Sequence, residues 1–325
     1  MSDLSYAYAV ARIRVLEKYL LSGSDIEQMI ASKDEAAALA FLKEKGWGDA
    51  NSNANETPEE IYDAESAKIR NLLRELKVDP KILEIFTYQD LYHNLKAAIK
   101  VVCTNDEHPG VFIESEDLDP EKMLQIVQEK DFGALPEHMR AAAAEAFDTL
   151  LHTRDGQLCD IIIDRAALEA IAKAGRESKE PLIRDYADMF VSVADIKIAV
   201  RSAATGKSKD FMTRAIASSE SVDAEKLIRA AVAGKDEIID YLATTRFAGA
   251  SEALTESPSA FERWCDNQLM ETIKPQKHNP FSAGPVIAYK LARENEIRMA
   301  RIILTAKANG LPDEAIRERA REMYV

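Results

Sequence analysis

The placement of proline constrains this chain more than any other feature. Proline is tolerated in the first turn of an α-helix and is harmful in its interior or in a central strand. Thr57-Pro58-Glu59-Glu60, Asp79-Pro80, Asp119-Pro120-Glu121 and Ser257-Pro258 each put a helix-capping residue directly before proline. Thr57 with Glu60 completes a capping box. Pro136, Pro181, Pro285 and Pro312 open further periodic segments without a preferred cap in front. Eight of the 11 prolines therefore mark helix starts, and little chain is left for strands. Alanine near 15% with only 12 Gly is also a helix-forming mixture. The one β-like run, Ile161-Ile162-Ile163, lies where Ile162, Ala166, Ile171 and Ala174 recur at helical spacing, and it reads as helix. Pro285 to Asn309 predicts a helix of roughly 37 Å. Within it Glu294 and Arg298 are spaced as an i, i+4 pair; Gly310 suits a left-handed cap, and Pro312 starts a last helix that carries the chain to Tyr324 and Val325. Residues 46–56, 103–119 and 274–284 read as irregular. The expected fold class is all-α.

An internal repeat refines that expectation. Asn94-Leu95-Lys96-Ala97-Ala98, Asp195-Ile196-Lys197-Ile198-Ala199 and Glu296-Ile297-Arg298-Met299-Ala300 share the pattern polar, aliphatic, basic, any, Ala, at two equal spacings of 101 residues. A second pattern, an aliphatic residue five before an aromatic that precedes a small residue, occurs at Leu42 with Trp47-Gly48, Val127 with Phe132-Gly133 and Leu242 with Phe247-Ala248. Cys159-Asp160 and Cys265-Asp266 open comparable helices in the second and third copies. The reading is three tandem helical units of about 100 residues, spanning 1–105, 106–206 and 207–325. Three like units either stack as an open solenoid or close around an axis.

Motifs that could carry chemistry are few. Thr205-Gly206-Lys207-Ser208 resembles the end of a phosphate-binding loop, but Arg201 stands where its first glycine belongs, so a helix cap followed by a polar turn is the better reading. His93, His108, His138, His152 and His278 show no metal-ligand spacing, and no cofactor or metal is expected. Asp160 with Asp164, and Asp236, Glu237 and Asp240, place carboxylates on helix faces where solvent, not acid-base catalysis, is the expected neighbour. No nucleophile context exists, so no catalytic residue is assigned. Asn55-Glu56-Thr57 is formally a glycosylation sequon, with Thr57 better read as a cap. The three cysteines are more than fifty residues apart and odd in number, which points to reducing cytoplasm. Net charge of −14 argues against a general nucleic-acid binder. No apolar stretch is long enough to span a membrane and no leader pattern opens the chain. The repeat singles out Lys96, Lys197 and Arg298 as equivalent basic positions, either partner contacts or pairs to neighbouring helices.

At the C-terminal end a recognisable string occurs. Gly284-Pro285-Val286-Ile287-Ala288-Tyr289, Arg293-Glu294-Asn295-Glu296-Ile297-Arg298, Arg301-Ile302-Ile303-Leu304-Thr305, Gly310-Leu311-Pro312 and Ile316-Arg317-Glu318-Arg319 resemble the C subunit of prokaryotic V/A-type ATP synthases, whose eukaryotic counterpart is the d subunit of the vacuolar proton pump. The opening Tyr8-Ala9-Val10-Ala11-Arg12-Ile13-Arg14-Val15-Leu16, the string Tyr92-His93-Asn94-Leu95-Lys96 and the overall length resemble it as well. The resemblance is specific over the last 45 residues and weakest over 106–180. It implies a funnel-shaped, all-α body around a pseudo-threefold axis, which is a rotor part without an active site. Its partners would be the central shaft subunits and the membrane proteolipid ring, and it would transmit torque for ATP synthesis or hydrolysis and ion transport. It would be peripheral to the membrane through the complex and monomeric in isolation. The competing class is an all-helical repeat scaffold that binds protein partners, although repeats of roughly 34 to 47 residues are absent.

Overall fold

The computed structural model describes residues 6–49, 56–104, 112–115 and 118–325, and every regular element among them is helical. The chain divides into two compact units. One comprises Met1–Asp79, Glu180–Leu182 and Gly249–Val325, the other Pro80–Lys179 and Ile183–Ala248.

The first unit joins both ends of the sequence. Its N-terminal piece supplies α1 (Ala7–Leu16), α2 (Gly23–Ile30), α3 (Glu35–Glu44) and α4 (Pro58–Glu75); its C-terminal piece supplies α13 (Ala248–Glu256, from its second residue), α14 (Pro258–Ile273), α15 (Gly284–Ala308) and α16 (Asp313–Arg319). The long α15 is the spine, in contact with α1 to α4, α14 and α16. Its apolar residues occur almost all round the helix, as a helix packed on several sides requires. Met299, Ala300, Ile303, Leu304 and Ala306 of α15 share one core with Leu21, Ile26, Met29, Ile30, Leu42, Trp47, Ile61 and Tyr62 from the other end of the chain. Each fully buried Leu, Ile or Met there contributes about 1.5–3 kcal/mol.

The second unit holds α5 (Pro80–Thr104), α6 (Pro120–Glu129), α7 (Glu137–Thr153), α8 (Gly156–Glu177), most of α9 (Pro181–Ala204), α10 (Lys209–Ala215), α11 (Ala224–Ala233) and α12 (Lys235–Ala243). Helices α5, α7 and α8 pack mutually, α6 lies on α5, and α11 pairs with α12.

The proline reading matches these boundaries. Pro58, Pro120 and Pro258 open α4, α6 and α14 behind caps from Thr57, Asp119 and Ser257, and the Thr57–Glu60 capping box is complete. Pro80 and Pro181 begin α5 and α9. Pro136 and Pro312 stand one position earlier than expected, as the residues just before α7 and α16. Ile161 to Ile163 lie inside α8. Gly310 takes φ +67°, and the Gly310 and Leu311 amides close back on Lys307 and Ala306, which ends α15 with a Schellman turn.

Three expectations need correction. Glu294 bonds Lys290, one turn back at 2.7 Å, and not Arg298, which is exposed. Residues 274–278 form a short 3-10 helix in a stretch expected to be irregular. The last helix stops at Arg319, and the tail then buries Tyr324 beneath Lys277. The aliphatic–aromatic pattern follows a helix of nine or ten residues in each copy, but its turn differs. Trp47 closes a Schellman turn onto Leu42; in the second copy Asp131, not Phe132, closes it, onto Ile126; Phe247 follows a turn in which Thr245 bonds Leu242. The sequon's Asn55 lies outside the described residues, while Thr57 caps α4.

Candidate functional site

The repeated pattern on the long helices places two side chains of interest in each copy, one polar and one basic. Helical geometry sends them to different sides, because neighbours two apart do not share a face. The polar residue points inward: Asn94, Asp195 and Glu296 are each no more than 1% exposed. The aliphatic position and the alanine flank it in the core, with Leu95, Ile196, Ala98, Ala199 and Ala300 all buried.

An extended electrostatic network surrounds Glu296 in the first unit. Arg293, one turn earlier on α15, bonds both Glu296 and Glu65 of α4. Its guanidinium also lies over the Trp47 ring at 4.9 Å. Glu65 accepts from the Gly48 amide at 2.8 Å and from Lys68 Nζ at 2.6 Å. Glu296 accepts from the Leu21 amide at 2.5 Å. Two buried carboxylates thus share one buried guanidinium, with a lysine ammonium at the edge. Burial pushes Glu296 up to about 7, against the pull of Arg293 and the Leu21 amide, and Glu65 adds to the rise. The sequence places Glu296 at the polar position of the repeated pattern but singles out neither Arg293 nor Glu65. The available signal was Glu65 at i, i+4 from the core residues Ile61 and Ile69, a carboxylate on the apolar face of α4.

Asp195 in the second unit has no such company. Its Oδ1 accepts from the Ala217 amide at 2.9 Å, and its Oδ2, like the Ser192 hydroxyl one turn earlier, is buried without a hydrogen-bond partner. Burial pushes it up to about 8, opposed by the Ala217 amide and by Arg165 and assisted by Glu169. Asn94 meets the same need with an amide.

The basic residues point away from the core to varying degrees. Arg298 is exposed on α15, Lys197 is half-buried on α9, and Lys96 on α5 bonds Asp164 of α8 at 2.5 Å. One turn on, Lys100 bonds Asp160 at 2.9 Å, so the two helices face each other antiparallel across a two-rung ladder. Asp160 and Asp164 therefore face lysines, where solvent was the expected neighbour. Asp236, Glu237 and Asp240 are exposed as expected.

The remaining motifs resolve locally. Gly206, at φ +63°, and Lys207 end α9 in a Schellman turn; Lys207 Nζ bonds Gln157 and lies over Phe211, and Ser208 caps α10. His138 packs against Tyr88 and Tyr92, with burial lowering its pKa. Cys103, Cys159 and Cys265 are buried, and none is in a disulfide. Among the described residues, no group of three or more His, Cys, Asp or Glu is arranged to hold a metal ion, and no helix is long and apolar enough to cross a membrane. A groove of about 380 Å³ along α7 and α8 is lined by Arg165, Lys173 and Arg214 with Glu145 and Glu169, and contains none of the three repeated basic residues.

The sequence is 24% identical over 333 residues to the C subunit of the V-type ATP synthase of Thermus thermophilus, covering 98% of both chains. It is 22% identical over 264 residues to the C subunit of the V-type sodium ATPase of Enterococcus hirae, covering 80% of each. Against the C subunit of the A-type ATP synthase of Methanocaldococcus jannaschii it is 23% identical over 344 aligned positions, covering 96% of this chain and 85% of the other. The family described as ATP synthase (C/AC39) subunit matches residues 9–319, and the chain belongs to that family.

Proposed function

We propose that this chain is a non-catalytic central-stalk subunit of a V/A-type rotary ATPase, seated between the rotating shaft and the membrane proteolipid ring and passing torque from one to the other. The observation that carries this reading is the family match from residue 9 to 319. In this reading the body is three units, 1–105, 106–206 and 207–325, closed as a funnel around a pseudo-threefold axis, peripheral to the membrane on its cytoplasmic side. The joining of the first and last thirds of the chain in a single core supports closure over an open solenoid. Packed helical interfaces deform little, which suits a part that must turn without storing twist. A three-lobed body on a ring of many identical subunits cannot match contacts one to one, so docking is electrostatic and sensitive to salt. Lys96, Lys197 and Arg298 are the proposed docking residues.

Purification of the tagged chain from its native membranes tests the reading. Shaft and ring subunits are expected to come with it; a set of unrelated client proteins would indicate a scaffold. Replacing Lys96, Lys197 and Arg298 together with Gln is expected to weaken association about tenfold at low salt, or about 1.4 kcal/mol. Unchanged association would remove these residues from the docking surface.

A further inference from the structure

The polar position of the repeat makes the same kind of bond three times. Asn94 Oδ1 accepts from the Ile113 amide at 2.8 Å while its Nδ2 donates to the Ile113 carbonyl at 2.7 Å. Asp195 Oδ1 accepts from the Ala217 amide at 2.9 Å, and Glu296 Oε1 from the Leu21 amide at 2.5 Å. Each acceptor is a buried side chain within a helix of 24 or 25 residues. Each donor belongs to a short non-helical strap ahead of the next helices. Leu21 directly precedes the Ser22 cap of α2, Ile113 lies ahead of the Asp119 cap of α6, and Ala217 ahead of the Asp223 cap of α11.

The physical need is the same in each place. A strap lying on a helix finds the helix's carbonyls already used, so its amide has no backbone partner, and leaving such a donor unmet costs about 1–3 kcal/mol. A polar side chain rising from the helix is the remaining source of an acceptor. The alanine one turn on, Ala98, Ala199 or Ala300, is buried in every copy and leaves room for the strap.

The order of the three bonds carries the inference. Asn94, in the first copy, holds a strap of the second; Asp195, in the second, holds a strap of the third; Glu296, in the third, holds a strap of the first. We propose that these side chains are three equivalent clips, and that Glu296 is the closing clip, fixing the N-terminal third onto the C-terminal third where no covalent connection exists. The proposal rests on the three-copy reading of the chain and is independent of its partners.

Hydrogen exchange on the full chain tests it, with the Glu296→Asp variant as the main arm. Aspartate keeps the negative charge but withdraws both carboxylate oxygens by one methylene, from the Leu21 amide and from Arg293 alike; its comparison with Glu296→Gln, which keeps the reach and gives up the charge, separates the clip from the ion pair. Exchange at Leu21 and across residues 20–30 is expected to rise about 10- to 100-fold, with 112–115 and 216–222 unchanged. Asn94→Ala is expected to do the converse, freeing 112–115 while leaving Leu21 protected. Glu296→Gln, which retains both reach and an acceptor oxygen, is expected to keep most of the Leu21 protection. If Glu296→Asp leaves Leu21 protected, or if either variant loosens all three straps alike, the clip assignment fails. Should Glu296→Asp not fold, the Asn94→Ala and Glu296→Gln results alone decide between local clips and general core damage.

Discussion

Glu296 in the first unit and Asp195 in the second occupy the same place in the repeat and carry the same functional group, yet their surroundings are opposite. Glu296 shares a guanidinium with Glu65 and is pushed up to about 7; Asp195 has one amide bond, a bare second oxygen, and is pushed up to about 8. Asn94, the third member, carries no charge at all. The common requirement is a hydrogen-bond acceptor for a strap amide, which an uncharged amide already provides. Charge at this position is an added cost, and the two units treat it differently: one sets a shared guanidinium beside it, the other leaves it without a cation in hydrogen-bond contact. A protonated carboxyl has the donor-plus-acceptor pattern of an amide, so Asp195 below about pH 8 is chemically close to Asn94.

The largest effect is expected where the charge is most heavily committed. Arg293→Met leaves Glu65 and Glu296 facing each other in the core without their shared cation. Removing one partner from a buried ionic cluster costs about 3–5 kcal/mol, because the stranded charge stays desolvated. The loss should be smaller near pH 5, where Glu296 takes up a proton, and larger at pH 8. Urea denaturation at the two pH values measures both. A loss under about 1 kcal/mol at pH 8 would mean that the network is hydrated enough to be dispensable, and the contrast with Asp195 would dissolve.

The second effect has the opposite sign. Below about pH 4 Asp195 is protonated in both the folded and unfolded states. Between there and about pH 8 the unfolded chain releases the proton while the folded chain holds it, so the folded state loses ground as pH rises; above about 8 the full cost is present. Asp195→Asn removes this dependence. The variant should match the parent near pH 4 and exceed it by about 2–4 kcal/mol at pH 8. Glu296 acts in the same direction but fades above about 7, so most of the slope that these two groups give between pH 7 and 8 comes from Asp195. A variant no more stable than its parent at pH 8 would show that Asp195 is ionised and satisfied in the folded protein.

These differences also mark how far the sequence could be read. Helix starts were legible because Pro fixes φ locally, and Thr57, Asp119 and Ser257 cap where they were expected to. The shared sequence pattern aligns position 296 with 195 and 94, but its basic member, not its polar one, stood out as the site. A polar residue beside an aliphatic one on a helix reads equally as surface or core until the packing on all sides is known. The place of Glu65 on the apolar face of α4 was readable, but its pairing was not, because its partner lies 228 residues away and no spacing rule links α4 to α15. The pairing of Lys96 and Lys100 with Asp164 and Asp160 is likewise a property of how α5 meets α8.

The smallest effect sharpens the comparison from the other side, by asking what an ion pair contributes when it is not buried. Lys96 and Asp164 are joined by a short bond, as are Arg293 and Glu296, but their side chains are 22% and 55% exposed against 10% and 2%. Water solvates the Lys96 ammonium and the Asp164 carboxylate with or without each other, so the pair gains little from meeting and loses little by parting. Lys96→Gln should lower stability by no more than about 0.5 kcal/mol at low ionic strength, and by nothing measurable at 1 M salt, where the screening length falls to about 3 Å. Lys96→Gln with Asp164→Asn in a double-mutant cycle isolates the pair from other contacts of either residue. A coupling above about 1.5 kcal/mol, persisting at 1 M salt, would mean that the α5–α8 ladder is a structural element of the same rank as the Arg293 network. In that case Lys96 would be committed to its own fold and unavailable to a partner.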